Sequence, residues 1–132
     1  MIYFDTSAIM RLVVSHEWTK ALEEYVGGLA NLPMATSVIG VVETHRAMKR
    51  AAATDDEFAT GDRYLAAFRK VGVTDEVVRS AIALPSRTLR SLDAIHVASA
   101  LKVGAVVLVT YDKAMIKAAH GLSLRTASPG LV

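Results

Sequence analysis

Short apolar segments that favour β-strands alternate with longer segments that favour helices along the whole chain. The strand candidates are IYF (2–4), PMATS (33–37), VGVTD (71–75), AVVLVT (105–110) and LSLRT (122–126). The fourth is the strongest, because it is rich in β-branched residues and too short to cross a membrane. Short buried strands that alternate with helices predict an α/β fold with a short-stranded, mainly parallel sheet. We therefore expect a three-layer α/β/α domain, with helices on both faces of the sheet.

The helical segments carry their own start signals. Ser15 and Thr74 can cap the helices that follow them, and Thr54 begins a capping box with Glu57. The predicted helices are Thr6 to about Val14, HEWTKALEEYV (16–26), VIGVVETHRAMKRA (38–51), the segment after Thr54 to about Val71, DEVVRSAIAL (75–84), SLDAIHVASALKV (91–103) and YDKAMIKAAHG (111–121). We expect the third and fourth of these helices to form a hairpin.

The composition indicates one cytoplasmic domain over residues 1–132. A chain of this length with 52% hydrophobic residues can bury a sizeable core. Zero cysteines exclude a disulfide framework, a thiolate zinc site and a cysteine nucleophile. The apolar N-terminal run has no basic leader and is interrupted by Asp5 and Arg11, so it predicts neither a signal peptide nor a membrane span. A formal charge of +2 permits an anionic partner without specifying one.

Four acidic residues fall where such a sheet would bring them together. Asp5 directly follows the first strand, and Asp112 lies two residues beyond the end of AVVLVT. Asp93 lies in the first turn of the helix that leads into AVVLVT, and Glu43 lies on the helix after the second strand. Open parallel sheets bind ligands beyond the carboxyl ends of their strands. The four carboxylates are therefore candidates for one shared site.

Each acidic residue also has an ordinary structural interpretation. Asp112 can cap the helix that it precedes, and Asp93 is favourable at the positive end of its helix. Glu43 can pair with Arg46 on the surface of a helix. Asp5 is harder to explain in this way, because a neighbouring hydroxyl would cap the helix without placing a charge at the edge of the core.

Considered together, the four carboxylates indicate a metal site. Carboxylates within about 4 to 6 Å of one another repel and raise each other's pKa unless a cation lies among them. Oxygen ligands without cysteine favour a hard ion, Mg²⁺ or Mn²⁺. Such ions bind phosphates, and two of them about 3.5 to 4 Å apart can stabilise both oxygens of an in-line phosphodiester displacement.

The chain resembles the PIN-domain ribonucleases, and more closely the VapC-type toxins of type II toxin–antitoxin systems. The segments that carry the resemblance are DTSAI, SVIGVVETHRA, LRSLDAIHVASAL and VLVTYDKAM, of which the third is the most specific. It runs from Ile2 to about Arg125. The resemblance implies a PIN-like α/β/α fold and an Mg²⁺- or Mn²⁺-dependent endoribonuclease. The implied reaction is hydrolysis of RNA by a metal-activated water, which leaves a 5′-phosphate and a 3′-hydroxyl.

The resemblance also implies roles for individual residues. Asp5 and Asp93 would be metal ligands, and Glu43 and Asp112 would complete the catalytic acidic pocket directly or through water. Two hydroxyls would hydrogen-bond the carboxylates or the metal-bound waters; they belong to Ser7 and Thr110.

Other polar and aromatic residues have weaker signals. His96 lies three residues after Asp93 and can be a ligand or proton carrier, but a histidine on an apolar helix face is more often a hydrogen-bonded packing residue. Four basic residues near the acidic positions are candidate contacts for RNA phosphates: Arg46, Arg87, Arg90 and Lys113. Aromatic side chains can stack on bases, although Trp18 and Tyr25, seven residues apart, are more typical of core.

Two other functions stay open on the residues alone. A haloacid-dehalogenase-like phosphatase also begins with a strand and an aspartate, but it requires a second aspartate where this chain has Ser7. A metal-free RNA-binding or scaffold protein on the same fold is the second alternative.

We also expect protein partners. The apolar excess around Val38 to Val42 and Tyr64 to Val71 predicts surface that the chain does not bury alone. The resemblance implies a small VapB-type antitoxin, whose amphipathic helix would lie in a groove between these helices, and a second copy of the chain in a homodimer.

Overall fold

The computed structural model describes residues 1–14 and 16–131. The elements in chain order are β1 (Ile2–Phe4), α1 (Thr6–Val13), α2 (Thr19–Gly27), β2 (Met34–Ser37), α3 (Val38–Arg50), α4 (Asp55–Ala67), β3 (Arg69–Val71), α5 (Asp75–Ala83), α6 (Ser91–Lys102), β4 (Val107–Val109), α7 (Lys113–His120) and β5 (Thr126–Ala127). The predicted alternation of short strands and helices is confirmed.

The five strands form one parallel sheet in the order β3-β2-β1-β4-β5. The chain moves outward from β1 to β3 and then continues on the other side of β1 with β4. The strand order therefore reverses between β1 and β4. In open parallel sheets, the crevice beyond the carboxyl ends of the strands at such a reversal is where ligands bind.

Successive side chains of the central strand β1 point to opposite faces of the sheet. Ile2 and Phe4 pack in one cluster with residues of α1 and α4, such as Ile9 and Leu65. Tyr3 packs in the other cluster, which includes Val97 of α6 and Met115 of α7. These two clusters confirm the three-layer α/β/α architecture. No helix in the described ranges combines the length and apolar character needed to cross a bilayer.

The start signals of two helices act as predicted. Thr54 accepts a hydrogen bond from the Glu57 backbone N–H, and the Glu57 carboxylate accepts one from the Thr54 backbone N–H, which completes the capping box of α4. Thr74 caps α5 through the Val77 backbone N–H. The predicted cap Ser15 lies outside the described residues, and α2 begins at Thr19, three residues later than predicted.

The predicted end of α4 at Val71 is wrong. The helix ends at Ala67, because Phe68 adopts an extended conformation and its ring packs 5.1 Å from the ring of Phe4 in the core. The third strand then occupies 69–71, where it pairs with β2, rather than the predicted 71–75. The predicted strand 105–110 is observed as the shorter β4, whereas the predicted strand 122–126 is wrong in position, because β5 is Thr126–Ala127, where it pairs with β4.

The predicted apolar excess is only partly at the surface. Val38 and Val42, one turn apart on α3, are 40% and 62% exposed. The second segment, from Tyr64 to Val71, is different, because Leu65 and Phe68 are buried in the core. The exposed apolar surface of α3 is thus confirmed, and that of the second segment is not.

Candidate active site

Asp5 lies at the carboxyl end of the central strand and caps α1. Its side chain is buried, and both of its carboxylate oxygens accept hydrogen bonds. Oδ1 accepts from Ser7 Oγ at 2.7 Å and from the Ala8 backbone N–H at 3.0 Å, and Oδ2 accepts from Thr110 Oγ1 at 2.6 Å. Three donors, two on α1 and one directly after β4, therefore fix the orientation of this carboxylate.

Burial raises the pKa of the Asp5 carboxyl above its ordinary value. The charge of His96 acts in the opposite direction, as do the three hydrogen bonds to the carboxylate, but burial outweighs them. An ionised Asp5 is thus costly to the fold unless positive charge lies next to it.

Asp112 is joined to Asp5 through one hydroxyl. Thr110 Oγ1 donates to Asp5 and accepts from the Asp112 backbone N–H at 3.0 Å. The Asp112 carboxylate also accepts from the Met115 backbone N–H at 3.1 Å, so it caps α7 as its ordinary interpretation expects. The capping role and the position beside Asp5 are therefore compatible.

Glu43, on α3, contacts the residue that follows Asp5. Its Oε1 accepts hydrogen bonds from Thr6 Oγ1 at 2.8 Å and from His96 Nε2 at 2.6 Å. Partial burial acts to raise the pKa of the Glu43 carboxyl, but the hydrogen bond and charge of His96 outweigh it and lower that pKa. The surface pair with Arg46 is not observed among the ion pairs of the described residues, where the partner of Glu43 is His96.

Asp93, in the first turn of α6, completes the cluster. Its carboxyl is partly buried, and burial is the main cause that raises its pKa. The negative charges of Asp112, Asp5 and Glu43 raise it further, while the charge of His96 opposes them. Asp93 is therefore close enough to the other three predicted acidic residues for their negative charges to act on it.

This donor set fits a hard divalent cation. In the described ranges, no group of three His, Cys, Asp or Glu side chains is arranged to hold an ion directly. Mg²⁺ usually keeps several waters and is bound through only one or two carboxylates, so it does not need such a group. The cluster offers carboxylate oxygens whose mutual repulsion a cation would relieve. The residues present therefore fit Mg²⁺ or Mn²⁺ held partly through water.

The four candidate RNA contacts are all exposed, and each lies within a few residues of an acidic residue in the sequence. Arg90 directly precedes α6, and Lys113 directly follows Asp112 at the start of α7. Arg87 lines a surface cavity of about 440 Å³ that also includes Lys117. Arg46 lies one turn after Glu43 on α3.

Three of the aromatic residues are packed within the protein. The Trp18 ring stacks on the Tyr111 ring with centroids 5.2 Å apart and planes 7° apart, and the guanidinium of Arg11 lies 4.3 Å from the Tyr111 centroid. The Tyr111 hydroxyl donates to the Pro129 carbonyl. Trp18 and Tyr25 both pack against the core, as their spacing predicted.

Sequence reasoning missed two residues that support the site. Thr6 donates to Glu43, and the Tyr3 hydroxyl lies 2.7 Å from His96 Nδ1. The apolar pattern IYF gives no indication that the Tyr3 hydroxyl makes a hydrogen bond near the site. The position of Thr6 directly after Asp5 could have indicated its role. The interpretation of His96 as a buried, hydrogen-bonded residue is confirmed.

Comparison with known proteins identifies the family. The family model described as PIN domain matches residues 2–121. This chain belongs to the PIN-domain family. The PIN domain is 37% identical to Ribonuclease VapC35 of Mycobacterium tuberculosis, over 98% of both chains. It is 34% identical to Ribonuclease VapC47 of the same species, over 100% of this chain and 99% of that one. The VapC-type resemblance is thus confirmed.

Solved structures share the fold at lower identity. FitAcB from Neisseria gonorrhoeae superposes with a TM-score of 0.78 at 17% identity, over the full length of both chains. Mycobacterium tuberculosis VapC20, described as a sarcin-ricin loop cleaving toxin, gives a TM-score of 0.72 at 20% identity, over 89% of this chain and 95% of that one. VapBC2 from Rickettsia felis, bound to a DNA fragment from its promoter, gives 0.76 at 17%, over 96% of this chain and 98% of that one.

Proposed function

We propose that this PIN domain is a divalent-metal-dependent endoribonuclease and the toxin of a VapBC-type toxin–antitoxin pair. The observation that carries the proposal is the cluster of four carboxylates where the strand order reverses, with Asp5 held by three donors. Relatives at 34% and 37% identity over nearly the whole chain carry the name ribonuclease, which supports the same chemistry.

The residues of the cluster have distinct roles in this proposal. Asp5 and Asp93 hold Mg²⁺ or Mn²⁺, and Glu43 and Asp112 complete the site directly or through water. The ion, when bound, supplies positive charge for the scissile phosphate and lowers the pKa of water. Ser7 and Thr110 keep Asp5 in one orientation, so the carboxylate does not reorganise when RNA binds.

In this proposal the exposed basic residues bind the RNA backbone. Arg46, Arg87, Arg90 and Lys113 contact RNA phosphates on either side of the cleaved bond, which predicts cleavage that weakens as salt rises. In this proposal the enzyme acts on RNA in the cytoplasm. The products are a 5′-phosphate and a 3′-hydroxyl.

Cleavage of a labelled RNA by the purified chain tests the function. We expect cleavage in Mg²⁺ or Mn²⁺, loss of cleavage in excess chelator, and recovery when the ion is restored. Cleavage that persists in chelator would contradict the metal dependence. The same assay with Asp93→Asn serves as control, because residual cleavage by that variant would reveal a contaminating nuclease or a different site.

The same assay separates the alternatives. A metal-free RNA-binding protein would bind the RNA without cutting it. A haloacid-dehalogenase-like phosphatase would release phosphate from a monoester; this reading is disfavoured, because the PIN family match covers residues 2–121 and Ser7 stands where its second aspartate is needed.

The partners in this proposal are a small antitoxin and a second copy of the chain. A toxin–antitoxin complex from Klebsiella pneumoniae shares the fold with a TM-score of 0.72 at 21% identity, over the full length of both chains. Val38 and Val42 form an exposed apolar strip on α3 that a partner would cover. Sedimentation at micromolar concentration tests the homodimer, and a monomer across that range would contradict it. Co-purification with the product of the neighbouring gene tests the antitoxin.

A further inference from the structure

A chain of hydrogen bonds runs from the central strand through α6 to Glu43. The Tyr3 hydroxyl on β1 lies 2.7 Å from His96 Nδ1, and His96 Nε2 lies 2.6 Å from Glu43 Oε1. Tyr3 and His96 are both buried. The imidazole thus has a partner at each nitrogen.

The partners fix which way the imidazole faces. An ionised carboxylate only accepts hydrogen bonds, so Nε2 must carry a proton and donate to Glu43. The Tyr3 hydroxyl can donate to a bare Nδ1 or accept from a protonated one, and it holds the ring in either state. Rotating the ring by 180° would replace both nitrogens by carbons and break both bonds. His96 is therefore held in one orientation.

The backbone of α3 is shaped to let Glu43 reach this imidazole. A Cβ on Gly40 would lie 2.4 Å from Thr36 Oγ1 and 3.3 Å from His96 Cε1. A side chain at position 40 would therefore displace the Thr36 hydroxyl or hold α3 further from β2 and α6. Glu43 follows Gly40 by one turn, which puts its carboxylate within reach of Nε2.

The hydrogen bonds described for Glu43 leave one oxygen for another role. In the ranges 1–14 and 16–131, both of them end on Oε1, from Thr6 and from His96. We propose that His96, held by Tyr3, is a positioning residue that fixes Glu43 so that Oε2 serves the divalent cation or one of its waters. This inference rests on the proposed metal-dependent function. Partners that orient metal-binding groups typically affect metal affinity or activity by about 10- to 100-fold.

Mn²⁺ binding without RNA gives the first test, by titration calorimetry on wild type, His96→Leu, Tyr3→Phe and His96→Gln. We expect His96→Leu to weaken Mn²⁺ affinity by about 10- to 100-fold and to lower kcat with KM for RNA unchanged. Tyr3→Phe should act in the same direction by a smaller factor. Glutamine can still donate from its amide nitrogen, so His96→Gln should lie closer to wild type than His96→Leu.

Thr44→Val is the matched control. Thr44 is buried next to Glu43 on α3, and its hydroxyl has no hydrogen-bond partner in the described part of the chain. The isosteric change removes a buried hydroxyl beside the site without touching the chain from Tyr3 to Glu43. We expect Mn²⁺ affinity and kcat to match wild type.

A ¹⁵N NMR spectrum of histidine-labelled, metal-free protein gives the second test. We expect the His96 signals of a protonated Nε2; a bare Nε2 would overturn the inference. Should His96→Leu fail to fold, Tyr3→Phe decides, because wild-type Mn²⁺ affinity in that variant would also overturn it. Wild type that binds Mn²⁺ and cleaves RNA, together with a folded His96→Leu that does both equally well, would overturn this inference alone. Wild type that does neither would overturn the proposed function, and this inference with it.

Discussion

Asp5 meets two demands that oppose each other. Burial of its carboxylate at the edge of the core raises its pKa. The three hydrogen bonds that the carboxylate accepts act in the opposite direction, because they favour the ionised form. Burial of a charge is tolerated where hydrogen bonds and a counter-charge compensate for lost hydration. In this chain the donors are built in, while the counter-charge is the cation of the proposed function.

Asp5→Asn should separate catalysis from stability. The amide keeps the shape and the Oδ1 acceptor for Ser7 and Ala8, but it removes the negative charge. We expect RNA cleavage to fall by more than about 100-fold, with a Tm equal to or above that of wild type without metal. A nuclease assay and a thermal melt measure the two effects. Asp62→Asn is the control, because Asp62 is 65% exposed on α4 and the amide keeps the Oδ1 atom that contacts His45 Nε2, so both should be unchanged.

The pH dependence of stability gives a second prediction for the same residue. Because the folded-state pKa of Asp5 is raised, its contribution to the free energy of unfolding is fully present below about pH 3.9 and is lost as pH rises through the folded pKa. Asp5→Asn removes this loss. We therefore expect the metal-free variant to gain stability relative to wild type as pH rises above about 4, by up to about 1.4 kcal/mol per unit. Urea unfolding at a series of pH values measures the difference, and a constant difference would contradict the prediction.

The sequence predicted the positions of the acidic residues better than the residues that donate hydrogen bonds to them. Asp5, Asp93 and Asp112 stood out because a carboxylate at a strand end or in a first helical turn is visible in one dimension. The partner of Glu43 could not be predicted in this way, because His96 lies 53 positions away. Arg46, three residues after Glu43, had the spacing of an ion pair on a helix surface. Which donor reaches a carboxylate depends on the packing of α3 against α6.

At the scale of elements, the close approach of α3 to β2 rests on one glycine. A Cβ at Gly40 would lie 2.4 Å from Thr36 Oγ1, so Gly40→Ala forces the Thr36 side chain, the helix or the strand to move. Overpacking costs about 1 to 3 kcal/mol, whereas alanine gains about 1 kcal/mol in helix propensity. We expect a net loss of up to about 2 kcal/mol in the free energy of unfolding, together with weaker Mn²⁺ binding.

Gly27→Ala is the matched control for this element. Gly27 is the last residue of α2, and a Cβ there would meet nothing within 4 Å. The same substitution should therefore gain roughly 0.4 to 1 kcal/mol in urea unfolding. Equal effects at the two glycines would show that the approach of α3 to β2 is not tight.

Element boundaries followed the sequence where local chemistry decides them. The capping box at Thr54 needs only residues three positions apart, and it formed as predicted. The end of α4 depends on Phe68 finding Phe4, which lies on a strand 64 positions earlier, and on β3 pairing with β2. Helix periodicity continues through this segment, so only these non-local contacts reveal that the helix stops.

At the scale of the whole molecule, the acidic cluster couples ion binding to folding. An ion that binds the folded cluster and not the unfolded chain stabilises the protein by mass action, by about 2.7 kcal/mol at 100 times its Kd. We expect Mg²⁺ or Mn²⁺ to raise the Tm of wild type in a concentration-dependent way. The double variant Asp5→Asn with Asp93→Asn should show no such rise in the same thermal melts. An equal rise in that variant would place the ion elsewhere.

The central pairing of β1 with β4 has a consequence for the order of events during synthesis. The donor that completes Asp5, Thr110, stands 105 positions after it, and Asp112 comes later still. A ribosome releases the first strand, α1 and Glu43 long before it makes β4. A partly synthesised chain therefore carries Asp5 and Glu43 without Asp93 and Asp112. The acidic pocket is complete only after β4 and Asp112 have been made, so the proposed function predicts that chains ending before this point do not cleave RNA.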